Sequence, residues 1–168
     1  NILLWLSINI LCKKCHNLSG EVFAVKNNFF GGEIDVTGLV TGQDLIAQLK
    51  DKDLGDKLIA IKGNCDAEVD QMISTFTFRK NYTIDLGGNN IYFHHGHNEV
   101  ENPSQYKVIF YGHFHVGEIK RVDDIIYANP GSISLPKAKD SQGYMILTKK
   151  GIEHYDLITN NLISDYVF

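Results

Sequence analysis

The sequence is poor in cysteine, in surplus basic residues and in long apolar runs, and each shortage removes a class of function. The cysteines are three, Cys12, Cys15 and Cys65. So odd and small a number does not build a disulfide framework, and a reducing, cytoplasmic compartment is the expectation. Lys and Arg total 16 against 20 Asp and Glu, for a formal net charge of −4. Nucleic-acid binding usually shows as a basic surplus, so no sequence-specific nucleic-acid partner is expected. No stretch reaches the roughly 18 consecutive apolar residues of a membrane span, so no membrane partner is expected. The apolar opening from Asn1 to Leu11 has no basic lead-in and no Ala-x-Ala-like exit. It reads as a buried parallel strand rather than a secretory segment. The chain does not begin with Met, which suggests a start that is not that of the gene product. Repeats, low-complexity tracts and long linkers are also missing.

What is present suits one soluble domain over residues 1–168, with 43% hydrophobic and 21% charged residues. The first thirty residues carry little helix punctuation, and Gly31-Gly32 reads as a turn. Glu33 to Val40 reads as a short strand, and Gln43 to Lys50 as a helix with Leu45, Ile46 and Leu49 on one face. The stretch 57–62 reads as a strand and 67–73 as a helix. Gly87-Gly88-Asn89 and Asp123-Asp124 each punctuate a hairpin, over 82–93 and 118–128. Further strands are expected over 108–111, 143–147, 152–157 and 162–168. A strand-rich pattern with a few helices predicts a layered α/β domain.

Metal-binding residue types gather where strands end. Lys62-Gly63-Asn64-Cys65-Asp66, His94-His95-Gly96-His97 and Gly112-His113-Phe114-His115 each place glycine beside such residues at a strand terminus. Ligands bind beyond the carboxyl ends of strands in open α/β sheets, and glycine lets the chain turn there. On an extended segment His113 and His115 would face the same side and reach one ion or a close pair. Five of the seven histidines fall between residues 94 and 115. A lone histidine at a strand end is usually structural, but paired His-x-His units beside an amide suit zinc, manganese or iron. Cys65 reads as buried packing rather than a nucleophile. Cys12-Lys13-Lys14-Cys15-His16 has the form of a c-type haem attachment site, but in so strand-rich a chain a loop with incidental cysteines is the stronger reading.

Gly63-Asn64-Cys65-Asp66, His95-Gly96-His97, Gly112-His113-Phe114-His115 and Asn129-Pro130-Gly131-Ser132 resemble, in order, the signature blocks of calcineurin-like metallophosphoesterases. The runs 63–72 and 129–136 are similar to those of YfcE-type bacterial phosphodiesterases, and the likeness extends over about residues 57 to 148. The resemblance implies a sandwich of two mixed β-sheets flanked by helices. It implies hydrolysis of a phosphodiester or phosphomonoester by a metal-activated water. The ions implied are one or two divalent metals, manganese first, with zinc, iron or nickel as alternatives. Asn64, His95 and His113 would hold one metal and His115 the other. His97 would shape the cleft or assist the leaving group, Asp66 would orient the ligands, and Asn129 to Ser132 would form a structural turn.

The N-terminal blocks depart from the family pattern. Ile8 and Ile10 stand where the family has Asp-x-His, and Gly38 stands where it has a bridging Asp. Two ions about 3.5 to 4 Å apart need anionic ligands between them, and Asn64 with three histidines supplies none. Three readings remain open. The chain is a catalytically degenerate relative acting as a binding or scaffold module, as the retromer subunit of this fold does. Alternatively, the text of residues 1 to about 40 is altered, for example by a frameshift. In the third reading Asp35, Asp44 or His16 substitutes for the missing ligands, which strict ligand geometry disfavours. Strand edges and Phe76 and Phe78 leave a homo-oligomer open, with core packing as the plainer alternative.

Overall fold

The computed structural model of the chain describes residues 2–7, 21–26, 58–64, 72, 78–132, 136–137 and 142–168. Twelve strands are delineated in them: β1 Ile2–Ser7, β2 Glu21–Lys26, β3 Leu58–Ile61, β4 Phe78–Arg79, β5 Asn81–Asp85, β6 Asn90–His94, β7 Val108–Phe110, β8 Gly117–Val122, β9 Ile125–Pro130, β10 Gly143–Thr148, β11 Gly151–Asp156 and β12 Leu162–Val167. They form a seven-stranded sheet in the order β12-β11-β10-β1-β2-β3-β4 and a five-stranded sheet in the order β5-β6-β7-β9-β8. Both sheets are mixed. β3 and β4 pair in parallel within an otherwise antiparallel sheet, while β6, β7 and β9 run parallel between antiparallel edges β5 and β8.

The opening strand forms as expected, but its direction is corrected. β1 pairs antiparallel with both β2 and β10, with Leu3 opposite Val25 on one side and Leu147 on the other. An apolar run predicts an interior strand. It does not show direction, which is set by partners elsewhere in the chain. The two hairpins form at the expected glycine and aspartate pairs. Leu86 N–H donates to the Asn89 carbonyl at 2.9 Å, and Gly87 and Gly88 have φ of 70° and 89°, conformations that glycine adopts without a Cβ penalty. Among the described residues the helical element delineated is a 3-10 turn at Pro103–Gln105. The helices expected over 43–50 and 67–73 lie outside the described residues, Met72 excepted, as do the strand over 33–40, Cys65 and the Cys12 to His16 motif.

The sheets pack through one hydrophobic cluster. Ile59, Ile61, Met145, Leu147 and Ile152 contribute from one sheet, and Ile91, Phe93, Val108, Phe110, Ile126 and Ala128 from the other. Alternate residues of β10 supply Met145 and Leu147, as a strand with one face on the core requires. β7, central in its sheet, is buried at all three residues, so both of its faces are covered. Phe93 and Phe110 stack with centroids 4.9 Å apart and planes 10° from parallel. Each such aromatic side chain contributes on the order of 2–3 kcal/mol on burial, and the ring pair about 1 kcal/mol more. That core fixes the parallel ends of β6 and β7 side by side, and the candidate site is built on those ends.

Candidate metal centre

His95 directly follows β6, and His113 follows β7 after Tyr111 and Gly112. Because β6 and β7 are parallel neighbours, both histidines emerge from the same edge of the sheet. Asn64 follows β3 of the other sheet and closes the cleft from across the sandwich. The backbone ties the two histidine loops together, since Gly112 N–H donates to the His95 carbonyl at 2.9 Å. Gly96 takes φ 105°, and a Cβ there would stand 3.3 Å from the Gly112 carbonyl oxygen. Asn129, fully buried in β9, locks the same loop. Its Nδ2 donates to the Gly112 carbonyl and its Oδ1 accepts from Gly131 N–H, both at 2.9 Å. The block from Asn129 to Ser132 therefore does the structural work its resemblance implies.

Two potential donor atoms flank a third. His95 Nε2 lies 2.9 Å from Asn64 Oδ1 and 3.1 Å from His113 Nδ1. The His95 ring is buried at 2% exposure, while Asn64 is open to solvent. A ring nitrogen carries either one proton or one lone pair, so Nε2 of His95 satisfies only one of these neighbours fully by hydrogen bonding. Donor atoms at right angles around an ion with bonds of about 2.1 Å stand about 3 Å apart. The spacings of His95 Nε2 to Asn64 Oδ1 and to His113 Nδ1 are each those of adjacent ligands on a divalent cation. Among the described residues no group of three or more His, Cys, Asp and Glu side chains can hold an ion. Here the third donor is an amide, and none of the three side chains carries a negative charge.

His97 lies beside this chain of contacts, its ring centroid 5.2 Å from that of His95 and 6.4 Å from that of His113. Its Nε2 accepts from Asn98 Nδ2 at 2.8 Å, which leaves Nδ1 as the protonated nitrogen. The Asn64–His95–His113 chain forms without His115, whose carbonyl accepts from Lys137 N–H at 2.9 Å. Asp66 lies outside the described residues, as do Ile8, Ile10 and Gly38. The expectation of an extended 113–115 segment is corrected. His113 and His115 both take φ 62°, and Phe114 N–H turns back to the Gly112 carbonyl at 2.6 Å. Left-handed backbone costs a non-glycine residue about 1–2 kcal/mol, so the bend around Phe114 is held by its surroundings.

Burial holds the imidazoles of His94, His97 and His113 below their ordinary range, and the neighbouring His95 ring adds to the effect. His94 is pushed down to about 4. Neutral rings keep lone pairs for a cation. The cleft encloses about 850 Å³, with Lys62 and Lys80 on its wall and the stacked rings of Tyr92 and Tyr106, 4.7 Å apart, among its lining. Sequence reasoning reached Lys62 beside Gly63 but missed Lys80, Tyr92 and Tyr106, because none of these sits in a recognisable spacing.

A family model described as the calcineurin-like phosphoesterase superfamily domain matches residues 30–151. The chain belongs to the calcineurin-like phosphoesterase superfamily. Among its relatives in that superfamily is phosphodiesterase YfcE of Escherichia coli K12, 33% identical over 100 residues, which is 56% of this chain and 54% of the relative. The chain thus spans about half the length of the curated relatives it matches. The solved structure of the phosphoesterase YfcE from E. coli superposes with a TM-score of 0.65 at 27% identity, covering 74% of this chain and 70% of that one. Vps29 from Entamoeba histolytica superposes with a TM-score of 0.54 at 20% identity, covering 76% and 77%, a likeness of fold alone. The phosphoesterase sandwich read from the signature blocks is thereby established, and its two mixed sheets are those described above.

Proposed function

We propose that this chain hydrolyses phosphoesters, diesters or monoesters, in the cleft lined by Asn64, His95 and His97, with His113 held against His95. The observation that carries this reading is the position of His95 Nε2 between Asn64 Oδ1 and His113 Nδ1, at 2.9 and 3.1 Å. Those three atoms would hold a divalent ion, manganese first, with zinc, iron or nickel as alternatives, and His115 would serve a second. Such an ion supplies a water acidified to near neutrality and positive charge for the phosphoryl oxygens. His97 Nδ1–H, oriented by the Asn98 contact, would donate a hydrogen bond to the departing oxygen and steady its developing charge. Asp66 would orient the ligands. Buried Asn129 keeps Gly112, and with it His113, in register.

The test combines metal content with turnover. Manganese added to chelated protein should be retained and should switch on cleavage of a bis-aryl phosphodiester. Turnover that persists after exhaustive chelation would defeat the reading. The neutral donor set favours a second reading, a binding module on the same fold. Absence of any retained ion in an isothermal titration, with intact folding, would select it.

A further inference from the structure

A second cavity of about 650 Å³ opens beside the first, and His94, Gly96, Asn98 and Glu99 line both. Its far wall is aromatic, formed by Tyr111, Phe114 and Tyr127. Tyr111 is the fixed centre of that wall. It is buried, its hydroxyl donates to Glu118, and Phe114 and Tyr127 stand edge-on to it at 6.1 and 6.4 Å. Phe114 behaves differently. It is 52% exposed, although it sits between His113 and His115 and touches the His113 ring edge-on at 5.2 Å. Both flanking histidines hold left-handed backbone, so the loop is bent at each side of Phe114 and the ring is presented outward rather than packed away. An exposed aromatic ring on a strained loop, next to a polar cleft and facing a groove, is the arrangement expected of a ligand contact.

We propose that this groove takes the aromatic group of a phosphoester whose phosphate lies at His95 and His113. This rests on the phosphoesterase reading of the adjoining cleft and narrows its substrate class to aromatic esters. The continuity of the two cavities sets the geometry: a substrate spans from the imidazoles, past Gly96, onto the face of Phe114. Lys120, 5.7 Å from the centre of the Tyr111 ring, and Val122 close the groove's outer side. The shared chemistry is a flat π-system, which either a simple aryl alcohol or a nucleobase provides.

Isothermal titration of the full chain with manganese present, using phenyl phosphate, adenosine 5′-monophosphate and glycerol 3-phosphate, tests this. Stacking on one ring is worth about tenfold in affinity, so both aromatic phosphates should bind about tenfold more tightly than glycerol phosphate. Phe114→Ala should bring the three affinities together, and Phe114→Leu should recover only part of the difference. The adenine protons should shift upfield in the NMR spectrum on binding to the parent chain and not to Phe114→Ala. Preference for phenyl over adenosine, or the reverse, identifies the source of the ring. Equal binding of all three phosphates would overturn the groove and leave the phosphoesterase reading standing. Failure of all three to bind would overturn both.

Discussion

His154 Nε2 lies 3.1 Å from the Pro130 carbonyl oxygen and joins the two sheets through a buried hydrogen bond. His154 comes from β11 of the larger sheet and Pro130 from the end of β9 in the smaller one. The ring fits because two strands offer no side chain beside it. A Cβ at Gly117 would stand 2.5 Å from His154 Cε1, and a Cβ at Gly143 would stand 2.5 Å from His154 Nε2. This histidine is outside the metal-grade cluster, and its place is structural. His154→Phe is expected to lower unfolding free energy by about 1–3 kcal/mol, the cost of removing a buried donor. Gly143→Ala should cost at least as much, because backbone or ring must move. Urea unfolding of the two variants checks this, and unchanged midpoints would remove the bridge's weight.

The hydroxyl of Tyr111 donates to Glu118, which also accepts from Lys120 Nζ at 2.8 Å. Burial pushes the Tyr111 hydroxyl well above the ordinary tyrosine range, and the Glu118 bond adds to that. Burial alone would raise Glu118, but the bonds from Lys120 and Tyr111 outweigh it and hold the carboxyl below its usual value. The sign for Glu118 follows from its depressed folded pKa: its stabilisation is present above the ordinary glutamate value and is lost as pH falls through the folded one. For Tyr111, raised in the fold, stabilisation is present below the ordinary tyrosine value and is lost as pH rises beyond it. Tyr111→Phe is expected to cost on the order of 1 kcal/mol at neutral pH and to flatten both the acid and the alkaline limbs. Thermal unfolding across the pH range checks it. Limbs as steep as those of the parent chain would contradict the pairing.

Much of this architecture was legible locally. The hairpins at Gly87-Gly88-Asn89 and Asp123-Asp124 were readable because turn chemistry is a property of two or three adjacent residues. The histidine cluster was readable because His95 and His113 each sit next to a glycine at a strand end. The direction of β1 was not, since an apolar run does not name its neighbours, and both β2 and β10 pair with it antiparallel. Nor was the role of His154, which exists only because Gly117, Pro130 and Gly143 converge from separate strands. The left-handed bends at His113 and His115 also escaped, because His-x-His reads as an extended pair until tertiary contacts bend it.

Removal of single donors should separate ligands from neighbours. His95→Ala and His113→Ala are each expected to abolish manganese retention in gel-filtered protein, because each removes one of two imidazoles from a three-donor set. Asn64→Ala should weaken it by a smaller factor, since water can replace an exposed amide oxygen. Elemental analysis after gel filtration measures all three. Full metal content in His95→Ala would show that the ion lies elsewhere.

Asn129 supplies the sharpest separation of structure from chemistry. Its Nδ2 holds the Gly112 carbonyl and its Oδ1 holds Gly131 N–H, so one side chain spans the turn and the histidine loop. Asn129→Asp keeps size and the acceptor but replaces the donor with a second oxygen facing a carbonyl. That buried mismatch should cost about 3 kcal/mol or more and lower the melting temperature. Because Gly112 N–H also bonds the His95 carbonyl, loosening Gly112 loosens both ligand loops together. Metal retention is therefore expected to fall along with stability, although residue 129 touches no ion. A variant that melts early yet holds manganese as tightly as the parent would sever that coupling.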